Sequence, residues 1–133
     1  MFPHERSLVK RLENKPFALV GVNSDTDQQY LRLKREQAAN KEEQQKALKD
    51  IDWEAFKKSL KEKNDNQQIT WRSFWNGRDG TGGPISATWN VQGWPTLYMI
   101  DHKGVIRHKF VGSPGNEKMD KLIDTLVEKA SAQ

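Results

Sequence analysis

The apolar positions of this chain follow helical spacing at both ends and strand-like runs between. Leu8, Val9 and Leu12 share one helical face, with Phe2 further back along it, and Pro3 suits a first turn. A helix is therefore predicted over 3–13, ended by Asn14-Lys15-Pro16. Phe17 to Val22 is an unbroken apolar run with a single glycine, which reads as a buried strand of the parallel kind. Asn23-Ser24-Asp25 closes that strand and offers a cap for a following helix. From 27 to 50 the pattern fades: Gln, Lys, Glu, Asp and Ala dominate, with Tyr30, Leu31 and Leu33 as the main apolar anchors. This predicts an exposed helix that frays over 38–50, either a solvated insert or an arm that docks a partner. Asp52 is placed to cap another helix, on which Trp53, Phe56 and Leu60 share a face.

In the second half, residues 69–75 alternate, with Ile69, Trp71 and Ser73 against Thr70, Arg72 and Phe74, as in an edge strand. Gly77, Gly80, Gly82 and Gly83 make a loop, and Pro84 opens a short helix carrying Ile85 and Trp89. Thr96 to Ile100 is a core strand. Asp101-His102-Lys103-Gly104 is a tight turn with Gly104 supplying a positive φ, and Val105 to Val111 returns as the second strand of a hairpin. Ser113 to Asn116 start the last helix, whose stripe is Met119, Leu122, Ile123, Leu126, Val127 and Ala130. The order is α-β-α-α-β-α-β-β-α, a parallel α/β start that finishes in an antiparallel hairpin and a helix.

Composition narrows the chemistry. A chain of 133 residues fits a single domain over 1–133. Its 35% hydrophobic and 30% charged content is polar, and the surplus sits in the insert at 27–60. A net charge of +4 is spread along the chain, not clustered as a nucleic-acid footprint would be, so no nucleic-acid partner is expected. No apolar run approaches transmembrane length, and Met1 to Arg6 carries no secretory pattern; the compartment stays open. There is no cysteine, which excludes disulfides, thiolate metal sites and any thiol chemistry by these residues. His4, His102 and His108 have no i, i+4 pairing and read as surface histidines, so no metal and no cofactor is expected. Asp25 reads as a cap and Asp101 as a turn residue. The glycines at 77–83 lack the lysine-serine/threonine ending of a phosphate loop. Trp71, Phe74, Trp75 and Trp89 form either a ligand pocket or ordinary core and edge packing.

The most specific stretch is Gly93-Trp94-Pro95-Thr96-Leu97-Tyr98-Met99-Ile100-Asp101, followed by Lys103-Gly104. A proline is tolerated at the first residue of a strand, where the preceding bond can be cis. Such a turn bares backbone amide and carbonyl groups for an extended peptide. Together with Phe17 to Asn23, Trp89 to Gln92, Val105-Ile106 and the closing helix, this stretch resembles the thioredoxin-like fold, in the TlpA-like and redoxin (AhpC/TSA-like) branch of thiol–disulfide oxidoreductases. The resemblance covers about 2–25 and 68–130 and leaves the insert outside. It implies a thioredoxin-like mixed sheet with flanking helices. It also places the family's Cys-x-x-Cys a few residues before Met1, because Pro3 and Leu8-Val9-Leu12 match the part of the helix downstream of that motif. The chain then looks like the C-terminal portion of a redoxin domain, without the strand that precedes the cysteines. In the family that strand lies between those at Phe17–Val22 and Thr96–Ile100. These two either pair directly here or leave a gap for another chain, with self-association and lowered stability expected from unpaired edges.

By the same resemblance Pro95 is cis, and the Trp94 amide and carbonyl pair with a substrate strand. Trp94, Pro95 and Thr96 are then the substrate-binding residues, and no residue of this chain is catalytic. Trp94 is either an aromatic wall for substrate or a cap on the core. His4 would lie on the first helix near the cysteines and tune their thiolates. The implied partner is a disulfide- or thiol-containing protein or an extended peptide, and the chain by itself is expected to be redox-inactive. An alternative is a Cys-free peptide-binding module, with the charged helix at 27–50 docking a partner. A peroxiredoxin-type peroxidase is a third reading. Substrate and direction of electron flow stay open.

Overall fold

In the computed structural model, which describes residues 2–133, the chain runs α1 (Phe2–Arg11), β1 (Val20–Asn23), α2 (Gln28–Arg35), α3 (Lys41–Lys49), α4 (Trp53–Asn66), β2 (Arg72–Trp75), a 3₁₀ turn (Gly80–Gly82), α5 (Pro84–Thr88), β3 (Thr96–Ile100), β4 (Ile106–Val111) and α6 (Asn116–Ser131). The class is α/β. It divides into two compact units, Met1–Val20 with Thr88–Gln133, and Gly21–Ala87. Among the described residues no helix is long and apolar enough to cross a membrane.

The first unit is built on the hairpin. β3 and β4 are antiparallel, in the register Thr96↔Val111, Leu97↔Phe110, Tyr98↔Lys109, Met99↔His108 and Ile100↔Ile106. The shift between Met99 and Ile100 leaves Arg107 as the extra residue of a bulge. Alternation puts Leu97, Met99 and Phe110 on the inner face. There they join Leu8 and Leu12 at α1 and Met119 and Val127 of α6, with Phe17, Leu122, Ile123 and Leu126 around them. Burying side chains of this size stabilises by about 1.5–3 kcal/mol each, so this cluster dominates the unit. α1 and α6 are also tied by polar contacts: Arg11 Nη1 lies 2.7 Å from Asp124 Oδ1, and His4 Nε2 lies 3.0 Å from Asp120 Oδ1. The outer face of the hairpin, carrying Ile100, Ile106 and Val111, is exposed.

Caps organise the second unit. Asp27 accepts from the Tyr30 N–H, Asn40 from those of Glu42 and Glu43, and Asp52 from that of Ala55; each satisfies donors the helix leaves orphaned. Trp53 and Leu60 of α4 are buried, as their spacing predicts. The Trp53 ring meets Tyr30 at 4.9 Å, Trp75 at 5.5 Å and Phe56 at 5.8 Å between centroids. The glycine loop is organised by Asn76, whose side chain bonds Ser24, Gly80 and Ser86.

Four expectations are corrected here. The helix expected over 27–50 is two helices, because Asn40 bonds the amides after it and so starts α3 instead of extending α2. Gln44 Nε2 donates to Glu36 O at 2.9 Å, closing α2 on α3. Second, the cap after β1 is Asp27, and Asp25 instead pairs with Lys63 at 2.6 Å. Third, the buried strand at Phe17–Val22 is a short one starting at Val20, and Val20 and Val22 are 55% and 47% exposed. Only the other face of β1 is covered: a Cβ on Gly21 would meet Ser73 Oγ at 2.9 Å. Fourth, the described residues form no single mixed sheet. β1 pairs with β2 and β3 with β4, in two separate two-stranded sheets, so the strands at Phe17–Val22 and Thr96–Ile100 do not pair directly.

Candidate functional site

The predicted residues Trp94, Pro95 and Thr96 lie together where the chain turns into β3. The Trp94–Pro95 peptide bond is cis. Thr96 Oγ1 donates to Gly93 O at 2.6 Å, a local hydroxyl-to-backbone bond that fixes the turn. On the β4 side the Gly112 N–H donates to Pro95 O at 2.7 Å, extending the ladder one step past Thr96↔Val111. Gly93 passes so close to β4 that an added Cβ would lie 3.0 Å from Val111 Cγ1. The turn is thus held from one side only.

On the other side it is open. Among the described residues β3 is hydrogen-bonded to β4 alone, and neither backbone group of Trp94 finds a partner. Trp94 is 50% exposed. An unpaired strand edge with free amide and carbonyl groups is a template for another strand.

The surroundings come from residues that sequence patterning alone does not assign to the site. On the outer face of the hairpin the Tyr98 hydroxyl donates to Trp89 O, and the two rings meet edge-on at 5.2 Å. Lys109 Nζ donates to Asn90 O at 3.1 Å and sits 5.3 Å from the Tyr98 ring centroid. These contacts pin the segment before the turn onto the hairpin. Strand alternation signals that Thr96 and Tyr98 share a face; that Trp89 closes over Tyr98 is not readable locally.

The other candidates separate. Trp75 packs in the aromatic group of the second unit and donates from Nε1 to Asp25 O at 2.8 Å, Phe74 is exposed, and Trp89 belongs to the first unit. Trp89 therefore falls in a different unit from Trp71, Phe74 and Trp75. His4 Nε2 faces Asp120 Oδ1 without a hydrogen bond between them. Asp101 is the turn residue expected. Its carboxylate accepts from the Val105 N–H at 3.0 Å, the Arg107 Nε–H at 2.6 Å and the Lys103 N–H at 2.9 Å, which hold its pKa down to about 2. Glu5, buried on α1, is shifted the opposite way, chiefly because burial disfavours its charged form. Among the described residues no three His, Asp or Glu side chains are grouped to hold a metal ion. Comparison with family models, with curated proteins and with solved structures found nothing that matches this chain.

Proposed function

We propose that this chain is the peptide-holding part of a thioredoxin-like thiol–disulfide oxidoreductase domain. It would bind an extended segment of a disulfide- or thiol-containing protein along Trp94, Pro95 and Thr96. The observation that carries the reading is the open edge of β3 running out of the Trp94–Pro95 turn. Backbone groups there supply register, and the exposed indole supplies apolar contact area. With no cysteine in the chain, both thiols of the redox step have to come from outside these 133 residues. In that step one thiolate attacks a sulfur of the substrate disulfide and displaces the other as a thiolate. The second thiol then resolves the mixed disulfide, so the substrate leaves as two thiols and the attacking pair as a disulfide. The same open edge would let a second copy of the chain pair with it at high concentration.

The absence of cysteine favours a second reading, a peptide-binding module with no redox step. Alkylating the thiols of the protein isolated from its source, and weighing it intact, separates the two: two labels support the first, none the second. Peptide binding itself is tested by titrating extended eight-residue peptides while following tryptophan fluorescence. A saturable change is expected, weakened about tenfold or more by Trp94→Ala, since exposed aromatic anchors carry much of such binding. No saturation, or equal affinity in the variant, would remove the basis for both readings. In a dithiol-driven insulin reduction assay the 133-residue chain should add nothing to the background rate.

A further inference from the structure

We propose that a cavity of about 510 Å³ between the β3–β4 turn and the end of α6 binds an amphipathic organic anion, with an apolar body and a carboxylate or phosphate head. The volume lies within the range of small-molecule sites, roughly 300–1,000 Å³. Its charged side chains are mostly basic. His102 and Lys103 come from the turn, His108 from β4 and Lys129 from α6. The one acidic side chain on the wall is Asp101, which is only 6% exposed and is already spent on Arg107 and two backbone amides. Among the described residues neither Lys103 nor Lys129 has a carboxylate within ion-pair distance. Two unpaired ammonium groups beside two imidazoles on a concave wall attract an anion more strongly than the same groups on a convex surface.

The floor is apolar. Leu122 and Leu126 are half-buried where the cavity reaches the edge of the core cluster, so an alkyl or aryl body gains from covering them. The carbonyl end of α6 also borders the cavity, and its partial negative charge repels an anion. The head therefore belongs on the turn side, near His102 and Lys103, with the body over the two leucines. This site is at the far end of β3 from Pro95, about 17 Å away at roughly 3.3 Å per residue. It neither requires nor supports the peptide-binding reading.

The test is calorimetric titration with octanoate and with octyl phosphate, alongside the uncharged octanamide, and amide NMR shifts to locate binding. Saturable binding of at least one anion is expected, with shifts confined to 101–108 and 122–133, and the tighter of the two names the head. Octanamide should bind at least tenfold more weakly, as should both anions to the Lys103→Glu/Lys129→Glu variant. Both positions are exposed, so the variant should fold, which circular dichroism checks. No binding by either anion, equal binding of octanamide, an unaffected variant, or shifts elsewhere would each overturn the proposal.

Discussion

Asn76 is fully buried at 0% exposure, and its replacement by alanine should be among the most costly substitutions in the chain. Its Nδ2 donates to Gly80 O at 2.6 Å and Ser86 Oγ at 2.7 Å, and lies 3.1 Å from Ser24 Oγ. Its Oδ1 accepts from the Ser86 N–H at 3.0 Å. The backbone bond from Asn76 N–H to Asn23 O, 2.8 Å, survives the change. At about 1 kcal/mol net per bond, three strong bonds amount to about 3 kcal/mol. The Ser86 N–H is left buried without an acceptor, which adds about 1–2 kcal/mol. A loss of about 4–5 kcal/mol is a large share of the ~5–15 kcal/mol stability typical of a domain. It should lower the urea midpoint by more than about 1 M at unchanged m, read by tryptophan fluorescence and circular dichroism. Should Asn76→Ala not fold, Ser86→Ala removes a single partner and should cost about 1–2 kcal/mol. A loss below about 1 kcal/mol for Asn76→Ala would refute the view that this knot holds the loop.

Three further outcomes are expected from the geometry. Gly83→Ala would place a Cβ 1.8 Å from the backbone oxygen of Asn76, whereas Gly82→Ala meets nothing within 4 Å; thermal melts should show a loss of about 3 kcal/mol or more for the first and under about 0.5 kcal/mol for the second. Glu5 has its pKa raised above 4.5 by burial, so the fold favours its neutral form. Its contribution is fully present below the ordinary value and is lost as pH rises through the folded value; Glu5→Gln should therefore raise Tm at pH 7 and leave it nearly unchanged at pH 4. Asp101 is held at about 2 against an ordinary 3.8, so its contribution is present above pH 4 and lost as pH falls towards 2. Asp101→Asn should flatten that acid limb in melts taken from pH 2 to 7; an unchanged limb would show that the turn does not depend on the carboxylate.

The sequence by itself determined the elements whose free energy is local. The stripes of Leu8–Leu12 and Met119–Val127, the Asp52 cap with Trp53 and Leu60, and the Asp101–Gly104 turn all appear where spacing and capping place them. So does the start of β3: a proline before an apolar run marks a strand start without tertiary information. The Asn40 cap is a local signal too, but charged neighbours on both sides hide the break it makes between α2 and α3. Tertiary structure decided what each apolar face meets. Period tells that Val20 and Val22 share a face of β1, not that the strand has one partner and leaves that face open. Likewise Ser24, Asn76 and Ser86 become neighbours, and Lys103 and Lys129 come to line one cavity, only when the chain closes on itself. Pairing of strands and burial of polar groups depend on residues far apart in sequence, and no local preference encodes which of them arrive at the same place.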